Sequence, residues 1–154
     1  MAPQTIDDVE TLRGLVGQQV GTSDWLQVTQ AMIDAFADVT GDDQWIHRDV
    51  KRAQRESPFG ATIAHGFLTL SLLTRLHNEA VVLGCARKMG INYGLNRVRF
   101  SSPVRSGSRI RGRSAVQSIE DVRGGVQVTW LITIDLEDSE KPALVAEWIT
   151  RIYQ

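Results

Sequence analysis

Three carboxylates and one imidazole stand within the stretch Gly41-Asp42-Asp43-Gln44-Trp45-Ile46-His47-Arg48-Asp49. An aspartate and a histidine that share one water molecule form a general acid–base pair, because the carboxylate ordinarily titrates well below neutrality and the imidazole close to it. Asp42 and His47 are the candidates. Five positions apart, they would point about 140° away from each other on a regular helix and to opposite faces of a strand. They meet only if the backbone between them is irregular, which Gly41 and the bulky Trp45-Ile46 pair permit. Two blander readings fit the same residues. Asp43 and His47, at i and i+4, can pair on one helical face, or the stretch is a capped loop whose carboxylates face water. Carboxylates with a histidine can also hold a divalent ion, but no HxH, HExxH or second histidine cluster accompanies them, and no metal is expected.

A second feature is Ala64-His65-Gly66, which opens a long apolar segment. The first amides of a helix have no internal partner, and the macrodipole makes that end positive. Gly66 has no Cβ, so a ligand carbonyl can approach its N–H closely. Such a donor suits the oxygen of a thioester as negative charge develops on it. The plainer alternative is a glycine that merely lets the chain enter the core, with His65 a buried histidine satisfied by backbone groups.

A third feature is charge. Between Ala80 and Ile119 the basic residues Arg87, Lys88, Arg97, Arg99, Arg105, Arg109, Arg111 and Arg113 are joined by no acidic one. That local positive field suits a phosphorylated ligand such as the nucleotide end of coenzyme A. A solvated sheet face is the alternative, with Glu120, Asp121, Glu137, Asp138 and Glu140 as compensating charges.

The elements that must position these groups are legible in outline. Residues 6–15 can form a leading helix, and 17–25 reads as turn-rich. Thr29 is a good N-cap, Val28 can staple to Ile33, and Gly41 is a natural C′ stop, so the acid–base stretch begins where a helix ends. Asp49 can cap a further turn over 50–55, broken by Ser57-Pro58-Phe59-Gly60. From 66 to about 83 the spacing predicts one long helix with no clean polar face in its first turns, hence a buried one. Strands follow over 91–100, 108–119, 126–136 and 144–153, with Gly124-Gly125 as a hairpin turn. Helices, then a run of antiparallel strands, with one helix too apolar for the surface, make an α+β domain in which the sheet wraps that helix.

The totals bound the rest. The chain has 154 residues, 42% of them hydrophobic, and a formal net charge of −1. That is one domain, 1–154, with a single core, and not the basic surface of a nucleic-acid binder. The apolar-leaning segment 63–83 carries His65, Arg75, His77, Asn78 and Glu79, which no membrane span would hold. The first residues lack a signal-peptide pattern. A single cysteine, Cys85, rules out an internal disulfide and fits a reducing compartment. A cytoplasmic protein is expected.

In combination these residues resemble the (R)-specific enoyl-CoA hydratases, the MaoC-like dehydratases. Gly41-Asp42-x-x-x-Ile46-His47-x-Asp49, then Ala64-His65-Gly66 before a buried helix, carry the resemblance. Asn92-Tyr93-Gly94-x-Asn96-Arg97-Val98-Arg99-Phe100 is also similar to members of that group. Gln44 and Trp45 depart from it, standing where the family usually has Asn-Pro. The resemblance implies a hot-dog fold, an antiparallel sheet around a long central helix at about 66–83, normally as a homodimer. It implies reversible hydration of trans-2-enoyl thioesters of coenzyme A or acyl carrier protein to (R)-3-hydroxyacyl thioesters. Asp42 and His47 would be the catalytic pair, with the Gly66 amide polarising the thioester carbonyl. No cofactor is required, since the thioester itself acidifies Cα. Phe59, Phe67 and Tyr93 are candidates for the acyl tunnel, and Arg97 and Arg99 for the carrier. Two rivals use the same fold, an acyl-thioesterase and a non-catalytic acyl-thioester-binding subunit of a hetero-oligomer.

Overall fold

The computed structural model describes residues 2–84 and 88–154, so Cys85 and Arg87 lie outside the described residues. Strand alternation builds its main layer. Along β7 (Gly125–Leu136), Val126, Val128, Trp130, Ile132 and Ile134 are buried. Gln127, Leu131, Thr133 and Asp135 are wetter, which is the period-2 pattern of a half-buried strand. β6 (Arg109–Val122) repeats it: Ile110, Gly112, Ser114 and Val116 face the core while Arg109, Arg111 and Arg113 face out. The two strands join through Arg123-Gly124, Gly124 taking a positive φ of 83°. β8 (Leu144–Tyr153) pairs with β7, and β5 (Met89–Phe100) pairs with β8.

All these pairings are antiparallel, and the sheet order is β2-β6-β7-β8-β5. β2 (Gln19–Thr22) and the two-residue β3 (Leu26–Gln27) both pair with β6. The turn-rich expectation for 17–25 therefore missed β2, which is too short for a recognisable alternation. β5 closes the order, so its outer edge has no strand partner among the described residues. Met89, Ile91, Tyr93 and Leu95 are exposed along it.

The central helix α5 (Gly66–Ala80) lies against this sheet. Leu68, Thr69, Leu73, Leu76, His77 and Ala80 form its buried face. It can sit close because β6 offers small residues beneath it: a Cβ on Gly112 would come 2.8 Å from Leu76 Cβ. His77 Nδ1 lies 3.0 Å from Ser114 Oγ, and its ring meets Trp130 edge-on at 4.6 Å. The helix stops at Ala80, three residues before the expected end. The β-branched Val81 and Val82 belong instead to β4 (Val81–Leu83), which pairs in parallel with β1 (Gln4–Ile6). The same pairing takes Ile6 out of the leading helix, which is α1 (Val9–Gly14) with Asp8 accepting from Thr11 N–H at 2.7 Å. Nor is α5 covered all round: Phe67 is 69% exposed, and Ser71 and Arg75 share that open side.

Three shorter helices bridge β3 and α5. Thr29 caps α2 (Gln30–Thr40), accepting from Met32 N–H, and Val28 and Ile33 are both fully buried. Gly41 ends it in the left-handed conformation, φ 74°, its N–H bonded to the Ala37 carbonyl at 2.8 Å. After α3 (Trp45–Arg48), Asp49 caps α4 (Val50–Glu56) by accepting from Arg52 N–H at 2.9 Å. Sheet against helix is the α+β arrangement the sequence leads one to expect.

Candidate active site

Gly41 turns the chain out of α2, residues 42–44 follow no regular pattern, and α3 is a single turn. The backbone between Asp42 and His47 is thus irregular first and helical second, which brings together two side chains that neither regular element alone could juxtapose. Gln44 occupies the N-cap of α3 without a side-chain hydrogen bond, and the Arg52 guanidinium lies 4.3 Å over the Trp45 ring. The turn is held from outside. Ile63 N–H donates to the Ile46 carbonyl at 3.0 Å, and Gln30 Nε2 donates to the His47 carbonyl at 2.8 Å.

A carboxylate oxygen of Asp42 and one ring nitrogen each of His47 and His65 lie within 4.8 Å of one another. Two groups that each bond one water at ~2.8 Å stand roughly 4.6 Å apart when the angle at the water is tetrahedral. The spacing therefore fits a bridging water. Asp42 is exposed and His47 buried, so the pair has one wet and one dry member. His47 Nδ1 lies 2.7 Å from the Ile63 carbonyl oxygen. Since a carbonyl can only accept, Nδ1 carries the proton, and in the neutral ring Nε2 holds the free lone pair.

His65 stacks on His47, with ring centroids 3.8 Å apart and planes tilted by 24°. Its Nε2 donates to the Asp42 main-chain carbonyl at 3.0 Å. Its Nδ1 is buried with no hydrogen-bond partner among the described residues. His65 is thus buried and bonded to a backbone group, as one reading of the sequence has it, but through Nε2 alone. The stack also bears on metal binding. A metal lies in the plane of each imidazole that ligates it, at ~2 Å from the nitrogen. Two planes 3.8 Å apart and tilted by only 24° cross well beyond that reach, so the two rings do not converge on one ion.

The neighbouring carboxylates have structural work. Asp43 pairs with Arg48 at 3.2 Å rather than with His47, and Asp38 pairs with the same guanidinium at 2.7 Å. Asp49 is a helix cap. Only Asp42 of the three in this stretch faces the imidazoles.

Gly66 follows His65 as the first residue of α5, and no side chain caps that helix. It is exposed, so its N–H sits at an open, electropositive helix start immediately beside the Asp42–His47–His65 cluster. A Cβ here would lie 3.2 Å from the Phe100 ring of β5, a tight contact.

The aromatic candidates each make contacts of their own. Phe59 sits in the turn after α4, its N–H donating to Ser57 Oγ at 3.1 Å. Phe67 is exposed and meets Phe100 edge-on at 6.2 Å. Tyr93 carries the Arg151 guanidinium 3.6 Å over its ring. It also borders a cavity of about 390 Å³ between α5 and β5, with Leu70, Leu73 and Trp148. The basic residues separate into two groups. Arg109 pairs with Glu137, and Arg111 and Arg113 both pair with Asp135 across the β6–β7 register. Arg97 and Arg99 are exposed on β5 and form no ion pair among the described residues. Residues with no signal in spacing also shape the site: Gln30, Thr62, Ile63 and Phe100 reach it only through the fold.

The protein-family model described as MaoC like domain matches residues 12–135. Over 150 residues the chain is 51% identical to 3-hydroxyacyl-thioester dehydratase Z of Mycobacterium tuberculosis, covering 96% of this chain and 97% of that one. It is 48% identical over 146 residues to nodulation protein N of Rhizobium meliloti, covering 94% and 89%. Among solved structures, the unliganded R-hydratase of Pseudomonas aeruginosa superposes with a TM-score of 0.71 at 23% identity, over 90% of this chain and 82% of that one. The sheet wrapped on α5 is thus the hot-dog fold, and the chain belongs to the MaoC-like dehydratase family.

Proposed function

We infer that the chain hydrates trans-2-enoyl thioesters of coenzyme A or acyl carrier protein to (R)-3-hydroxyacyl thioesters, reversibly. The observation that carries this reading is the Asp42 carboxylate and His47 ring, within one water's span of each other and beside the uncapped start of α5. Asp42 and His47 hold the water. His47, its Nδ1–H fixed, takes one proton of the water on Nε2 as the oxygen bonds to Cβ and the alkene electron pair moves toward Cα and the thioester; that proton then passes to Cα, while the Asp42 carboxylate accepts the water's other hydrogen bond and orients it. The enolate charge that accumulates on the thioester oxygen meets the Gly66 N–H and the positive end of the helix. Both parts of water arrive from one side, which is syn addition. No metal or redox cofactor enters these steps.

The acyl tail lies beside α5, toward the cavity bordered by Leu70, Leu73 and Tyr93. The carrier's phosphates meet Arg97 and Arg99, two arginines of β5 that form no ion pair among the described residues. The active form is a homodimer joined through β5, whose outer edge has no strand partner among the described residues and carries exposed Met89, Ile91, Tyr93 and Leu95. Among the described residues no helix is long and apolar enough to cross a membrane, in keeping with a cytoplasmic enzyme. Crotonyl-CoA hydration, followed as loss of enoyl-thioester absorbance, tests the reading. Asp42→Asn and His47→Ala should each lower turnover by about 100-fold or more; undiminished turnover in both ends it, and release of free thiol without hydroxyacyl product would point to a thioesterase instead.

A further inference from the structure

His65 is 3% exposed, yet its Nδ1 lies inside the protein with no hydrogen-bond partner among the described residues. A side chain selected for packing alone would not leave that lone pair bare. Phenylalanine has a ring to fill the space beside Phe36, whose centroid lies 5.0 Å away, and carries no nitrogen to orphan. Buried polar groups kept at a cost in stability are concentrated where function needs them. What the histidine does have is one contact to each member of the acid–base pair. Its Nε2–H holds the main-chain carbonyl of Asp42 at 3.0 Å, and its flat face lies 3.8 Å from the ring of His47.

We propose that His65 is the positioning residue of this site, a clamp that sets the distance between Asp42 and His47 without touching the substrate. The need for one is local. Asp42 begins the irregular segment after Gly41, and its own N–H reaches Thr40 Oγ1 only at a long 3.4 Å. His47 is better anchored, through Nδ1 and its carbonyl, but neither bond restrains its ring against tilting out of plane. His65 supplies both missing restraints. Because it is also the N-cap of α5, it ties them to the Gly66 amide. One side chain thereby registers acid, base and oxyanion donor, and a misplacement of about 1 Å among such groups costs roughly 100-fold in rate. The clamp rests on the hydratase reading for its kinetic consequence, though not for its geometry.

Two variants separate its parts. His65→Phe keeps the ring and loses both nitrogens; His65→Gln keeps an amide donor able to reach the Asp42 carbonyl and loses the ring. His65→Phe should match or exceed the wild-type Tm, since the orphaned lone pair is gone, while kcat for crotonyl-CoA falls about 30-fold or more with KM within about twofold. Hydrogen exchange in the peptide spanning residues 41–47 should accelerate about tenfold in His65→Phe, and His65→Gln should restore that protection and part of kcat. Wild-type kcat in His65→Phe overturns the proposal. So does a loss of kcat with unchanged exchange at 41–47, or a His65→Gln variant no better than His65→Phe in either measure. If the wild-type protein itself fails to hydrate crotonyl-CoA, the hydratase reading falls, and the exchange rates of the two variants still decide the clamp.

Discussion

Thr62 donates its hydroxyl to Gln30 Oε1 at 2.6 Å, and through that bond a loop residue before α5 fixes the side chain that opens α2. Gln30 Nε2 then donates to both the His47 carbonyl and Asp34 Oδ1, at 2.8 and 3.0 Å. Every polar atom of this amide is engaged, and its downstream contact is the turn that carries His47.

Replacing Gln30 by Leu removes these bonds and leaves the largely buried Thr62 hydroxyl without its acceptor. The expected loss is about 1–3 kcal/mol, measured as a shift in urea midpoint. Turnover should fall further than stability predicts, because α3 then loses its tie to α2 through the His47 carbonyl and keeps the Ile63 bonds to Ile46 and His47 and the contacts of Arg48.

Gly66→Ala tests the oxyanion position without deleting the amide. The added Cβ meets the Phe100 ring at 3.2 Å and stands where a thioester carbonyl would approach. We expect a fall in kcat/KM of about tenfold or more, with Tm little changed, because alanine is the better helix former by about 1 kcal/mol. The double variant with Phe100→Leu should regain part of the loss if crowding is the cause.

At Gly112 the same substitution should act on stability instead. Its Cβ would press on Leu76 Cβ at 2.8 Å, where α5 crosses β6, and neither backbone can yield easily. Gly112→Ala should cost about 1–3 kcal/mol by overpacking, read as a lower thermal midpoint, with KM unchanged in the fraction that remains folded.

Arg97 and Arg99 form no ion pair among the described residues, although Glu147 stands opposite Arg97 in the β5–β8 register, whereas Arg109, Arg111 and Arg113 each pair with a carboxylate. Replacing both by Ala should raise KM for a CoA thioester severalfold and flatten its dependence on ionic strength. Arg113→Ala, which removes one of the two guanidiniums on Asp135 instead, should leave KM alone.

Asp135 sets a pH dependence. Burial pushes its carboxyl up, but hydrogen bonds from Arg113 and Arg111 and the charges of both guanidiniums outweigh burial and hold it below 3.8. The native state therefore binds this proton less readily than the unfolded chain. The contribution to stability is fully present above the unfolded value and is lost as pH falls through the lower folded value. Asp135→Asn should cost about 1 kcal/mol at pH 7, and the gap between variant and wild type should close as the medium is acidified below about pH 4. Urea midpoints across that range check it.

The strands were legible because burial on one face imposes alternation, and β7 and β8 follow it almost to the residue. The caps were equally legible: Thr29, Gly41 and Asp49 act locally, so three or four residues of context contain the whole signal. The long helix misled at its end, since Val81 and Val82 continue an apolar helix as readily as they begin a strand, and only the distant β1 decides between them. At the site, spacing could state the meeting of Asp42 and His47 only as a requirement, because the meeting itself depends on Gln30 and Ile63 gripping a single turn. The role of His65 escapes the sequence for the same reason. Its partners lie 18 and 23 positions away, and no periodicity relates them.

The bare rim of β5 has a consequence for handling the protein. If two copies cover that rim for each other, the population of well-folded enzyme follows mass action, and midpoints measured at different protein concentrations will differ. Dilution then re-exposes a long apolar edge to any other strand, including misfolded copies of itself. Storage at high concentration should protect the enzyme, and loss of activity on standing should be steepest in the most dilute samples.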